Sequence, residues 1–305
     1  MSCMLLFEVT GDQRMGEINK AVIPAAGMGT RFLPASKAIP KELLPVFDVP
    51  LIHKAVEECV NSDIKEIIFI ISHGKDSIIQ YFENSLEYEK LMHEKNMEVY
   101  ASYFKKLRSE ISFKYVYQPV QLGLGHAVLL AKEHINSEAF AVILPDDVIL
   151  GKQSALNELV SIFNLFQTSV LAVENVPNEK LSDYGVIKPY QIQKSIYEVY
   201  DMIEKPKIGF APSNLGIVGR YILTPEIFEV LETVKPGVNG EIQLTDGLLS
   251  LLEIQKIHAC EFSGIRFDAG NPVGLLKASI HYGMSDEKYK KEIREWIQGT
   301  LKSEI

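Results

Sequence analysis

Residues 25–45 read AAGMGTRFLPASKAIPKELLP, and the fold turns on how this stretch is understood. The short apolar run Ala21-Val22-Ile23 precedes it and a helical apolar spacing begins at Leu51, so a strand feeds a long loop that leads into a helix. The loop carries Gly27, Gly29, Arg31, Lys37 and Lys41. Glycines without a Cβ let backbone N–H groups close on an anion, and fixed cations nearby supply charge that amides alone cannot. This is the outline of a polyphosphate site, although Gly-x-Gly by itself reads equally as a tight turn. A strand-to-helix connection of about twenty residues far exceeds the usual two to six. Pro34, Pro40 and Pro45 stiffen it, which argues for function over disorder.

Two familiar phosphate loops are excluded. The dinucleotide fingerprint requires a third glycine three residues after the second, where Phe32 stands, and the P-loop requires a terminal Gly-Lys-Ser/Thr that is absent. The whole run fits a different pattern. Gly-Thr-Arg followed by Pro, Lys, Pro-Lys-Glu and Leu-Leu-Pro resembles the signature of the sugar-phosphate nucleotidylyltransferases. The form Ala-Ala-Gly-Met-Gly-Thr-Arg most resembles the bacterial UTP:glucose-1-phosphate uridylyltransferase branch of that family, and the resemblance extends from about Lys20 to Tyr282.

Composition sets bounds on partners. A chain of 305 residues with 47% hydrophobic content can build a sizeable core, and a formal net charge of −9 disfavours nucleic acid and anionic membrane. The cations of the opening loop are therefore concentrated against the overall sign. Cys3, Cys59 and Cys260 are scattered and odd in number, which suggests neither a disulfide framework nor a metal site and fits a cytoplasmic protein. The run Met4-Leu5-Leu6-Phe7 is too short for a leader or a membrane span and is interrupted by Glu8 and Asp12. Residues 1–14 read as an N-terminal extension ahead of a single domain over 15–305.

Along the chain, residues 51–60 have helical spacing, and residues 66–71 form a β-branched run suited to a strand buried on both faces. Residues 77–82 continue as helix, 86–107 as a charged, solvated amphipathic insertion, 113–117 as strand, 125–135 as helix and 140–144 as a fourth buried strand. Residues 154–166 and 170–173 add a helix and a strand. Such alternation predicts an α/β fold, a Rossmann-like, mostly parallel mixed sheet flanked by helices. The strand-like runs at 186–187, 197–203 and 215–223 predict a small antiparallel sub-region. Helices at 225–234 and 241–254, a strand at 257–262 and a charged helix at 286–302 complete the reading, the last packing on the body or on another subunit.

In open parallel sheets, ligands gather beyond the carboxyl ends of the strands. Leu144-Pro145-Asp146-Asp147 lies there, and paired carboxylates suit Mg2+, which needs only one or two of them beside phosphate oxygens. Alone, the pair also reads as a turn that caps the next segment. The resemblance adds Asp268, within Arg266-Phe267-Asp268-Ala269-Gly270, and implies that Asp146 and Asp268 are the metal-binding aspartates with Asp147 behind them. Gln118-Pro119 followed by Gly123-Leu124-Gly125-His126 reads as a loop opening a helix. The Gln118 amide, with a donor and an acceptor, suits the N3–H and carbonyl edge of a pyrimidine, and Gly123 lets backbone come close. The resemblance implies uracil recognition by Gln118, Gly123 and Ala26, with Glu42 near the base. His126 has no visible triad partner or metal companion, so packing or an outer hydrogen bond is its expected role. Tyr184-Gly185, Glu204-Lys205-Pro206 and Gly219-Arg220-Tyr221 resemble the sugar-phosphate half-site, with Gly185 making room for the hexose and Glu204 accepting from its hydroxyls. The stretch 239–246 is also family-like, though helix capping explains much of it.

The reaction so implied joins UTP and glucose 1-phosphate into UDP-glucose and pyrophosphate with Mg2+ as cofactor. Arg31, Lys41 and Lys205 would be the catalytic cations, with Gly27, Gly29 and Thr30 around the triphosphate and Lys37 a further phosphate contact. A homo-oligomer, dimer or tetramer, is part of the same expectation. Thymidylyl transfer to the same sugar, one methyl away, is the nearest rival, and a catalytically silent nucleotide-binding paralogue is a rival of another class.

Overall fold

A computed structural model describes residues 17–83, 86–237 and 240–303. The extension over 1–14, Cys3 and Asn239 lie outside the described residues. Strand β1 (Lys20–Pro24) leads through the long loop to a two-strand hairpin, β2 (Pro45–Val46) and β3 (Val49–Pro50), and then to helix α1 (Leu51–Asn61). Next come β4 (Glu66–Ile71), α2 (Asp76–Phe82), α3 (Leu86–Glu94), α4 (Glu98–Glu110) and β5 (Ser112–Tyr117). They are followed by α5 (Leu124–Leu129), β6 (Phe140–Ile143), β7 (Asp147–Leu150), α6 (Ala155–Phe166) and β8 (Val170–Asn175). A hairpin of β9 (Gly185–Gln193) and β10 (Ile196–Glu204) precedes β11 (Leu215–Leu223), α7 (Glu226–Thr233) and α8 (Leu244–Leu251). The chain continues through β12 (Ile257–Glu261), β13 (Ile265–Asp268), α9 (Pro272–Ser285) and α10 (Lys290–Ser303).

One nine-stranded sheet runs through the molecule in the order β5-β4-β1-β6-β11-β8-β12-β10-β9. Neighbours β5, β4, β1 and β6 are parallel; β11 runs antiparallel between β6 and β8, and β10 antiparallel between β12 and β9. It is a mostly parallel mixed sheet covered by helices. The antiparallel sub-region is continuous with it, because β10 pairs with the edge of the main sheet along β12 and β9 touches β11 at Val186–Gly216. Side chains of a strand alternate between faces, so β1 sends Ala21 and Ile23 into one apolar layer, with Ile52 and Val56 of α1, and Val22 into the other, with Val128 and Leu231. Phe140 stacks on Phe228 with ring centroids 5.2 Å apart in that second layer. Each such fully buried side chain contributes roughly 1.5–3 kcal/mol.

Several local expectations need correction. The stretch 86–107 is two helices, broken where Asn96 takes φ 57, and α4 is not merely solvated. It buries Ala101 and Leu107 and lays Tyr103 and Phe104 against His53 and Tyr81. The helix begun near Gly125 ends at Leu129, and only a 3-10 turn over Lys132–His134 follows. Helix α8 starts at Leu244, not Glu241, and α10 at Lys290, not Asp286. The β7–β13 ribbon and the fourteen-residue α9 were not foreseen as elements. Asn271 and Pro272 carried the signal for α9: the Asn271 side chain accepts from Gly274 N as N-cap, and proline opens the helix.

Candidate active site

Four segments leave the carboxyl ends of β1, β4, β5 and β6 on one edge of the sheet, and they build one side of a cleft. The 25–45 loop winds through three short 3-10 turns, Thr30–Phe32, Ala35–Lys37 and Lys41–Leu43. Phe32 is buried as its anchor, and Ser36 Oγ donates to the Gly29 carbonyl at 2.8 Å. Gly29 has φ +65, and a Cβ there would stand 2.9 Å from the Lys41 Cβ, so the loop closes on itself with the Lys41 stem over the glycine turn. Lys41 Nζ then reaches Asp146 Oδ2 at 2.5 Å. Burial works against the Lys41 ammonium, but Asp146 and Glu42 outweigh it and its pKa rises. Burial likewise pushes the Asp146 carboxyl up, but Lys41 outweighs it and its pKa falls. The pair is ionised.

Sequence reading passed over the residue that fastens this loop from below. Lys75, in the turn after β4 and 7% exposed, donates to the carbonyls of Ala25 and Gly27 at 2.6 Å each and to Glu42 Oε2 at 2.7 Å. An ammonium has three donors, and all of them are placed. Glu42, 1% exposed, is therefore half of a buried ion pair, and its Oε1 is buried without a protein partner. Burial pulls Lys75 down and pushes Glu42 up, each opposed by the charge of the other. Ala26 is buried beside it, Thr30 and Lys37 are exposed, and a Cβ on Gly27 would meet nothing within 4 Å.

Gln118 is buried at the end of β5, where its Nε2 lies 2.8 Å from His126 Nδ1 and 3.4 Å from the Gly123 carbonyl. The donor arm expected to face a base carbonyl is thus engaged by the protein. Gly123 differs from expectation too: at φ +96, a Cβ would stand 2.7 Å from Ile242 O, so the close approach it permits is that of the 241–242 backbone. That backbone is bonded in place by Gly125 N to Ile242 O and Ile242 N to Leu122 O.

The antiparallel β7–β13 ribbon brings the distant aspartates together. Its register sets Asp147 opposite Asp268, and Ala269 N donates to the Asp146 carbonyl at 2.8 Å. Asp146 Oδ2 and Asp268 Oδ1 each stand 3.0 Å from the point a Gly270 Cβ would occupy, so the two oxygens lie within twice that distance of each other. Asn271, the cap of α9, donates to Asp268 Oδ2 at 3.1 Å and orients it. Asp147 turns away, accepting from Gly219 N and from Arg266. No cluster of three or more potential metal ligands occurs among the described residues.

On the far side, a cavity of about 500 Å³ is lined by Arg31, Asp146, Gly185, Glu204, Lys205 and Asp268 together with Tyr184, Gln243, Thr245 and Asn271. Lys205 holds φ 46, a left-handed backbone that non-glycine residues adopt at some cost and that concentrates at functional sites. Its N–H donates to the Tyr184 carbonyl at 2.9 Å, and its Nζ lies 3.5 Å from Glu204 Oε1. Gly185 makes room first for protein: a Cβ would stand 2.8 Å from Thr245 Oγ1 and 3.1 Å from Glu204 Oε2. Arg266 ties this wall to the ribbon, pairing with Asp147 and Glu174 at 2.5 Å each and donating to Tyr184 Oη at 3.1 Å. Gln243 and Thr245 come from the stretch set aside in the sequence as capping.

The family model for nucleotidyl transferases matches residues 20–284. A UTP–glucose-1-phosphate uridylyltransferase of Staphylococcus haemolyticus is 42% identical over 284 residues, 93% of this chain and 99% of that one. A crystal structure of UDP-glucose pyrophosphorylase complexed with UDP-glucose is 40% identical, with a TM-score of 0.81 over 88% of this chain and all of that one. A UTP-bound UGPase from Acinetobacter baumannii is 38% identical, with a TM-score of 0.83 over 92% of this chain and 99% of that one.

Proposed function

The chain belongs to the nucleotidyl transferase family, and from that premise we propose that it transfers a uridylyl group from UTP to glucose 1-phosphate, giving UDP-glucose and pyrophosphate. One observation carries the reading to the site: Asp146 and Asp268, distant in sequence, share the rim of one cavity with Arg31, Gly185, Glu204 and Lys205. The relatives' uridylyl activity, at about 40% identity over nearly the whole chain, favours UTP over the thymidylyl rival and an enzyme over a silent paralogue.

A phosphate monoester has a second pKa near ~6, so the sugar phosphate arrives as a dianion and needs no general base. The barrier is repulsion between two polyanions, met by positioning and by fixed positive charge. In our reading the 25–45 loop cradles the triphosphate with Gly27, Gly29 and Thr30, and Arg31 steadies the departing pyrophosphate. Lys41 releases Asp146 to meet the phosphate at the reacting end. Lys205, projected from a left-handed backbone, directs the attacking phosphate in line, while Glu204 accepts from the sugar hydroxyls. Ala26, Glu42, Gln118 and Gly123 surround the uracil, and the unpartnered Glu42 Oε1 is an acceptor available to the nucleoside. Lys37 stands further out on the phosphate path.

Asp146 and Asp268 suit Mg2+, a hard cation that takes oxygen ligands and needs few protein carboxylates, and Gly270 keeps the space between them clear of a Cβ. Bound there, Mg2+ would neutralise phosphate oxygens of both reactants. We place the reaction in the cytoplasm, where the buried free thiols of Cys59 and Cys260 stay reduced, in a homo-oligomer. Pyrophosphate release from ATP, CTP, GTP and UTP with glucose 1-phosphate, with and without Mg2+, tests the proposal. Release confined to UTP and Mg2+ is the expected result, and turnover of another nucleotide at the UTP rate would overturn it.

A further inference from the structure

Gln118 and the Ala25–Ala26 turn stand two strands apart on one sheet edge, since Gln118 N bonds Ile71 O and Ala25 N bonds Ile70 O, both on the intervening β4. Two strand spacings are about 10 Å, the width of a flat base with its contacts. What Gln118 shows to a base there depends on which end of its amide faces outward, and the protein decides that. The Gly123 carbonyl can only accept, so the amide nitrogen must be the end at 3.4 Å from it. The same nitrogen lies 2.8 Å from His126 Nδ1, which must therefore be a bare acceptor with the ring proton on Nε2. Burial holds the His126 pKa below its ordinary value and so keeps the neutral ring. Both amide N–H groups are then engaged, and Gln118 Oε1, which bonds no described residue, is the group left for the base.

Building on the uridylyl reading, we propose that His126 is a positioning residue that locks Gln118 as a pure acceptor and thereby sets the preference for uracil over cytosine. Uracil presents N3–H, a donor that Oε1 accepts; cytosine presents a bare N3, which sets two acceptors against each other. A base carbonyl cannot be bonded by Gln118 and finds its donor in backbone N–H. Removal of the His126 acceptor takes away the 2.8 Å bond and leaves only the long 3.4 Å contact to the Gly123 carbonyl, too weak to hold the amide against turning over, and a Gln118 that can offer N–H to cytosine no longer rejects it.

The test is the ratio of kcat/KM for UTP to that for CTP at saturating glucose 1-phosphate. His126→Ala should lower this ratio about tenfold, chiefly through KM for UTP. His126→Asn, whose Oδ1 can stand where Nδ1 stood, should keep it within about threefold of the parent. Should the alanine variant not fold, His126→Leu fills the volume without an acceptor and carries the same expectation. A ratio unmoved in these variants while overall activity falls would make His126 a packing residue and overturn the proposal, as would failure of a folded asparagine variant to keep it. Parent enzyme inactive on UTP overturns the uridylyl reading and this inference together; parent enzyme active on UTP with an unmoved ratio overturns the inference alone.

Discussion

On the side of the cleft assigned above to the nucleotide, most of the working groups are near neighbours, Gly27 through Glu42 on one loop, and beneath that loop one buried ammonium, Lys75, holds two carbonyls and a carboxylate. On the sugar side, Asp146, Gly185, Glu204, Lys205, Thr245 and Asp268 come from separate segments, held by strand register and by the Arg266 network to Asp147, Glu174 and Tyr184. The first side leans chiefly on one buried side chain, beside the Phe32 anchor and the Ser36 and Lys41 bonds, and the second distributes its support. A single substitution should therefore injure the two sides differently.

Lys75→Met is the sharpest way to break this contrast. It leaves Glu42 buried and unpaired, and loss of one partner of a buried pair costs about 3–5 kcal/mol. Urea unfolding should show that loss, and adding Glu42→Leu should recover more than half of it, because the uncompensated charge goes with it. Surviving enzyme should have a raised KM for UTP and an unaltered KM for glucose 1-phosphate. A double variant no more stable than the single one would show that the ion pair is not what holds the loop.

The helices behind the 25–45 loop add a pH dependence of their own. His53 of α1 is 3% exposed, its ring 4.3 Å from that of Tyr103 and its Nδ1 2.9 Å from Tyr81 Oη, and burial lowers its pKa from 6.5 to about 4. Between those values the unfolded chain binds a proton that the folded chain refuses. His53 therefore costs nothing above pH 6.5, and stability drains away as pH falls from there to about 4, by up to about 3 kcal/mol. Urea midpoints of the parent should fall across that window, and in His53→Phe the fall should shrink by the His53 share. An equal fall in the variant would place the acid sensitivity elsewhere.

The same contrast governs what could be read from the chain alone. Contiguous patterns are visible: a glycine loop with Arg31 and Lys41 suggests a polyphosphate site within a few residues, and the β-branched run of β4 reads as the buried strand it is. The pairing of Asp146 with Asp268 came from resemblance, since the four-residue strands β7 and β13 are too short to show a period. Helix α9 buries only Ala278 and Gly283 along its length, so its apolar spacing was faint even though Asn271-Pro272 marked its start. Lys75 was illegible for another reason. A lysine ahead of a helix reads as solvated, and only the arrival of Glu42 and two carbonyls from another segment makes it a buried clamp. Gly123 was read as letting backbone approach a base and Gly185 as making room for a hexose, whereas the atoms nearest a Cβ at each belong to Ile242 and Thr245, which no local pattern could name.

The smallest effect is expected where support is distributed. Lys205 is exposed and its Nζ has a loose contact with Glu204 at 3.5 Å, its only ion pair among the described residues, so Lys205→Ala should leave the fold intact. Its backbone at φ 46 is set by the Tyr184 carbonyl bond and survives the change. What is lost is one point charge on the sugar phosphate, and about 1.4 kcal/mol corresponds to a tenfold rise in KM for glucose 1-phosphate with UTP binding unaltered. Calorimetric titration of each substrate separates the two sides. A variant that loses UTP affinity and keeps that for glucose 1-phosphate would reverse the assignment of the cleft, because the left-handed turn at Lys205 would then face the nucleotide.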